Sequence, residues 1–177
     1  MRVSRLAGLV VAAGVFGIVS SARADPQFPP HKAGLWEGTM KMSNMMMNGQ
    51  PAPSMGPAGG MVTFSCVDPA SDLKLEKRMA AGEPGCSVPV WGGSGAHYTF
   101  TNTCSNGGGT TSMAGAMTYV NDEHIIIDMQ MSGTGMTGTM HGDSQWSGAC
   151  PDGIVPGDFG MVMGGNLQKE GNVLNMP

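Results

Sequence analysis

Methionine is the residue whose number and spacing could do chemistry in this chain: eighteen occur among 177 residues. Met45, Met46 and Met47 are adjacent, with Met40, Met42 and Met55 close by. Thioether sulfur is a soft donor, the kind that selects Cu(I) over harder cations. Met45, Met46, Met47, Met42 and Met55 are therefore the first candidate metal ligands, for Cu(I) or Ag(I). The segment that carries most of them, Ser43 to Gly60, is rich in Pro, Gly and Met and has no period. It reads as an exposed loop without a core to fill. Such thioethers could instead pack over the mouth of a sheet, or be oxidised to sulfoxide and repaired.

A second candidate set is His124, His141 and Asp143, with Asp128 nearby. The strand register described below puts His124 opposite Asp143 and His141 opposite Ile126. Two imidazoles and a carboxylate on one sheet face could hold Zn²⁺ or Cu²⁺. The bland alternative is the wet side of an antiparallel sheet. No catalytic constellation stands out. Ser94 lies in GGSGA, which lacks the second glycine of a G-x-S-x-G elbow. Asp128 and Asp143 are the only paired-carboxylate candidates in the central stretch. The chain reads as a non-enzyme with no cofactor other than a Cu(I) ion.

The stretch that must position these residues is Thr111 to Cys150. Alternation puts Met113, Met117 and Tyr119 on one side of a first strand, and Ile125, Ile127, Met129 and Met131 on one side of a second. Met136, Met140 and Trp146 share one side of a third. A loop over Val120 to His124 sets Tyr119 opposite Ile125 and Met117 opposite Ile127. A loop over Ser132 to Gly135 sets Met131 opposite Met136 and Ile127 opposite Met140. Both registers unite the apolar sides, and a one-residue slip would scatter them. Glycines 115, 138 and 142 leave gaps among long side chains on that side. Those side chains are expected to fill a small barrel, leaving no cavity lined by Met117, Ile127 and Met140.

Outside this meander, Gly34 to Met42 and Met61 to Val67 alternate as strands. Asp68-Pro69 offers an N-cap and a proline at the first helical position, predicting a short helix to about Ala80. Residues 151–177 form a Gly/Asn-rich tail with one further strand at Phe159 to Met163. The expected fold is all-β: an antiparallel meander of about seven strands, barrel-like or sandwich, with one short helix.

The N-terminus gives the compartment. Arg2 and Arg5, the apolar run Leu6 to Val19, and Ala22-Arg23-Ala24 form a signal peptide over residues 1–24. The apolar run is too short to span a bilayer, and no later stretch could. Cleavage removes three of the nine basic residues, so six face all thirteen acidic ones, a formal net charge of −7. Nucleic acid and anionic membranes select for Lys/Arg clusters and are poor partners. Export to an oxidising compartment makes two disulfides of Cys66, Cys86, Cys104 and Cys150. Cys86–Cys104 is the local pair, across a hairpin in which Val88 and Val90 share the side of Cys86, and Phe100 and Asn102 that of Cys104. Cys66–Cys150 remains, tying an early strand to the end of the meander.

GLWEGTMKM, the Met/Pro-rich loop, the strand ending at Cys66, the Cys86 to Cys104 hairpin and the T-G-T-M strand before Gly-Ala-Cys150 resemble the domain-of-unknown-function family 3617. The resemblance covers roughly Pro30 to Cys150. It implies a single all-β domain over 25–150, exported by Gram-negative bacteria to the periplasm, and hands over no catalytic residues. This chain departs from the family in lacking a basic residue just before the last cysteine and in continuing 27 residues beyond it. The functional expectation is a periplasmic binding or interaction module. The alternatives are a methionine-rich Cu(I)/Ag(I) handler and a carrier of a small apolar ligand.

Overall fold

A computed structural model describes residues 26–52, 60–106 and 109–176. The expected signal peptide at 1–24 and the candidate ligand Met55 lie outside the described residues. The strands are β1 (Gly34–Met47), β2 (Gln50–Pro51), β3 (Met61–Val67), β4 (Val90–Ser94), β5 (His97–Asn106), β6 (Gly109–Asn121), β7 (His124–Gly133), β8 (Met136–Gly148), β9 (Asp158–Met163) and β10 (Asn166–Asn172). One helix, α1 (Pro69–Ala81), follows β3, and a 3₁₀ turn, Val173–Asn175, closes the chain. All the pairings are antiparallel, in one sheet of order β10-β9-β3-β1-β8-β7-β6-β5-β4, with β2 on the end of β1.

The all-β class, the single helix and both disulfides agree with the sequence. Three expectations need correction. Among the described residues the strands number ten, and the sheet is open, with β10 and β4 at its two ends, rather than a barrel or sandwich. Ser43 to Met47 continues β1 instead of opening a loop. Its return is a tight turn at Asn48 and Gly49, with φ of 51° and 77°, the geometry that favours Asn-Gly in hairpins. Lastly, residues 158–172 form a two-strand hairpin whose first strand pairs with β3, so the tail belongs to the sheet.

In the meander, β6 and β7 pair as expected, Tyr119 with Ile125 and Met117 with Ile127. Between β7 and β8 the register differs by two: Met129 faces Met140, Ile127 faces Gly142 and Met131 faces Gly138. Only Thr134 and Gly135 turn the chain, two residues fewer than the expected loop. A shift of two keeps every side chain on its face, because strand side chains alternate with period two. In the hairpin, Cys86 sits opposite Cys104, but Val90 pairs with Thr101 and Trp91 with Phe100. An extra residue on the first arm reverses the faces, so Trp91 and not Val90 shares the side of Phe100.

Helix α1 starts where the sequence demands. Asp68 Oδ1 accepts from the Ser71 N–H at 2.8 Å, and Ser71 Oγ accepts from the Asp68 N–H at 2.9 Å. This capping box satisfies two otherwise orphaned donors. The bond from the Ser71 backbone, with its side chain adding, holds the Asp68 carboxyl below its ordinary range. The helix and the N-terminal segment 26–33 lie over one end of one sheet face. There Phe28, Trp36, Val67, Tyr98, Met117, Tyr119 and Ile125 form the buried core, with Met79 of the helix against it. The segment is held by indole and phenol donors: Trp36 Nε1–H to Lys32 O at 2.8 Å, Trp146 Nε1–H to Ala33 O at 3.0 Å, and Tyr98 O–H to Gln27 O. The Phe28 ring meets Trp91 and Tyr98 edge-on at 4.9 and 4.8 Å.

Candidate functional site

The core occupies only part of its sheet face. Residues directly opposite on antiparallel strands share a face, with Cβ atoms about 4.5–5.5 Å apart. Beyond the helix, the same face carries three cross-strand rows of methionine. Met42 of β1 faces Met140 of β8, which faces Met129 of β7. Met131 of β7 faces Met113 of β6 and, on its other side, Gly138 of β8. Met45 completes that row, because its Sδ occupies the space a Cβ on residue 138 would fill. In the third row Met47 faces Met136.

Met45 is buried, at 7% exposure, while Met42 and Met47 are exposed at 43% and 51%. Met113, Met129, Met131, Met136 and Met140 are half-buried. Of the first candidate set, Met42, Met45 and Met47 therefore share a face. Met46 faces Thr137 and projects to the other one. The thioethers that the fold brings near Met45 come from β7 and β8, far along the chain, and adjacency in sequence hid them.

The opposite face is polar and divides the second candidate set. His141 sits between Lys41 and Asp128, with its Nδ1 2.7 Å from Asp128 Oδ1. Asp143 faces Ile126, and His124 faces Gln145, so the expected pairing of His124 with Asp143 is displaced by two. His124 Nε2 still comes within 3.2 Å of Asp143 Oδ1, a diagonal contact out of line for a hydrogen bond. Each imidazole thus has its own carboxylate. Among the described residues, no three His, Cys, Asp or Glu side chains gather as metal ligands.

Beneath α1, His31 binds Asp72 twice: its Nδ1 lies 2.6 Å from Oδ1, and its backbone N–H donates to Oδ2 at 2.9 Å. The ring stands edge-on to Trp36 and Tyr119. Burial, with the negative charges of Asp72 and Glu76 adding, pushes the Tyr119 phenol well above its ordinary range. Burial and then Asp72 likewise raise Glu76. A phenol held neutral is no nucleophile, and the His31–Asp72 pair clasps segment and helix together.

Sequence reasoning missed one site entirely. A cavity of ≈ 320 Å³ lies between β3, α1 and the C-terminal turn. Cys66, Val67, Leu75, Phe159, Val173 and Met176 give apolar walls, and Arg78 and Glu83, 3.5 Å apart, stand at its polar side. Its far wall depends on Asp158. That carboxylate is buried (0% exposed) and bound by Lys169 Nζ at 2.8 Å, Asn172 Nδ2 at 2.7 Å and the Val155 N–H at 3.1 Å. Burial acts to raise its pKa, but these three donors prevail and hold it below the ordinary range. The turn at Gly164-Gly165 was the available signal for this hairpin.

Among the described residues, no helix is long and apolar enough to cross a membrane. No curated protein and no solved structure matches the chain. The order of strands, hairpin and cysteines that first suggested a relationship is matched over residues 31–150 by the family described as "Protein of unknown function (DUF3617)", and the chain belongs to that family.

Proposed function

We propose that the protein is exported to the periplasm and acts there as a non-enzymatic binding module for a small amphipathic molecule. The observation that carries this reading is the cavity between α1, β3 and the C-terminal turn. Ligand sites are concave, mostly apolar and fitted with a few placed polar groups, typically over about 300–1,000 Å³. This one sits at the lower end of that range, so its ligand is a compact apolar body with one polar end toward Arg78 and Glu83. Gly157, Phe159, Val173 and Met176 come from beyond the family-matched residues 31–150. A third of the lining therefore comes from outside the family-matched segment, and ligand preference belongs with it. The signal-peptide pattern and the two disulfides support export.

Titrating the mature protein with medium-chain acyl amphiphiles, read by displacement of an environment-sensitive fluorophore, tests this. The native protein binds, and Leu75→Glu and Val173→Glu each weaken binding at least ten-fold while keeping the native unfolding midpoint. Equal binding in all three proteins would overturn the proposal.

A further inference from the structure

We infer that the methionine-lined half of the sheet is a site for a soft monovalent cation, Cu(I), centred on the Met45 sulfur and completed by Met131, Met136 and Met140. This goes beyond the amphiphile reading and does not rest on it. Gly138 leaves a notch in β8, and Met45 lays its sulfur in that notch. Met136 and Met140 flank Gly138 two residues away on the same strand and face, and Met131 stands directly across from it. Strand neighbours lie about 4.8 Å apart, and same-face residues about 6.6 Å apart along a strand. Flexible thioethers on all sides can close that distance onto one ion, whose preference is for just such soft donors.

The chemistry of the surroundings agrees. The His124–Asp143 and His141–Asp128 pairs project from the opposite face, so neither brings a hard donor among these thioethers. Packing alone does not call for sulfur at these positions. Where the helix covers this face, the apolar positions are chiefly Trp, Tyr and Ile. Methionine concentrates where no described element lies over the sheet. Met46, although adjacent to Met45, projects away with Thr137 and is outside the site.

The test is anaerobic titration of the mature, disulfide-intact protein with Cu(I) against a colorimetric Cu(I) chelator. Native protein should withdraw copper from the chelator. The Met45→Leu/Met131→Leu/Met140→Leu variant, which keeps apolar bulk and removes sulfur, should bind at least ten-fold more weakly. Met140→Leu alone should show part of that loss, and serves if the triple variant does not fold. Met46→Leu and Leu75→Glu should bind as the native protein does, the latter separating this site from the amphiphile cavity. Absence of uptake by native protein, undiminished affinity in the folded triple variant, or an equal loss in Met46→Leu would each overturn the inference. Undiminished affinity would move copper binding away from these thioethers to another part of the chain.

Discussion

The two halves of one sheet face solve different problems with different residues. Under α1 and the N-terminal segment, rigid rings and a β-branched chain interlock: Trp36, Tyr98, Tyr119 and Ile125 are all at least nine-tenths buried. Past the helix, the same strands carry flexible thioethers that remain half in solvent. Aromatic and branched side chains have few rotamers and specify one packing, whereas methionine adapts to whatever is laid against it. The contrast teaches that the half beneath the helix specifies one packing, while the half over which no described element lies keeps adaptable side chains.

Each half has its own disulfide, and removing them offers the largest perturbations. Cys66–Cys150, with a sequence separation of 84, ties β3 to the chain just after β8 at the covered end. Its replacement by a pair of alanines should cost about 4–5 kcal/mol in the chain-entropy account. Cys86–Cys104, separated by 18, staples the methionine end and should cost about 3 kcal/mol. Chemical denaturation of both variants checks the ranking, and the reverse order would mean that native packing around Cys86–Cys104, and not loop length, sets the cost.

Single truncations sharpen the same contrast. Ile125→Ala removes a side chain that is 4% exposed and should cost about 2–5 kcal/mol. Met131→Ala, on the same strand and the same face but half-buried, should cost about 1 kcal/mol, because its neighbours and water can take up the space. Similar losses measured by urea unfolding would mean that the methionine half is core after all.

The cavity between α1, β3 and the C-terminal turn borders the covered half and should respond to acid. Asp158 titrates below the ordinary carboxylate value of 3.8 in the folded protein, so its stabilising contribution is complete above that value. That contribution is lost as pH falls through the lower folded value. Hydrogen exchange over β9 and β10 should therefore rise first below about pH 4, and Asp158→Asn should show that looseness at neutral pH. Protection that is indifferent to both changes would detach the hairpin from Asp158.

The smallest effect expected is that of Gly138→Ala. Its methyl group would take the place of the Met45 sulfur, and overpacking of this kind costs about 1–3 kcal/mol in a rigid core. Because Met45 is flexible and borders solvent, the cost should fall near the low end. Oxidation of Met45 by dilute peroxide should quicken as the side chain is turned out, which peptide mass spectrometry reads directly.

The faces were legible from residue types, but the division was not, because the meander's methionines read as filling for a barrel that the open sheet does not form. Face assignments in the meander survive the register error between β7 and β8, since a slip of two leaves parity intact. The N-cap at Asp68 and both cysteine pairs needed only local chemistry and compartment. What stayed hidden had weak periodicity. Ser43 to Met47 looks like loop because methionine and Asn obscure alternation, yet Asn48-Gly49 already signals a hairpin. The segment Asn166–Asn172, NLQKEGN, carries almost no apolar residue, so only its pairing with β9 makes it a strand. The cavity was out of reach for the same reason, because its walls meet only once that hairpin docks on β3. The grouping of Met45 with Met131, Met136 and Met140 likewise depends on a glycine notch that spacing cannot show.

The central claim, that one half of the face is core and the other a binding surface, is tested most directly by methyl-resolved NMR of methionine-labelled protein titrated with Ag(I). The methyl signals of Met45, Met131, Met136 and Met140 should shift together and saturate, while those of Met117 and Met79 in the aromatic cluster stay in place. Equal shifts in Met117 and Met79, or no shift in the four, would contradict it.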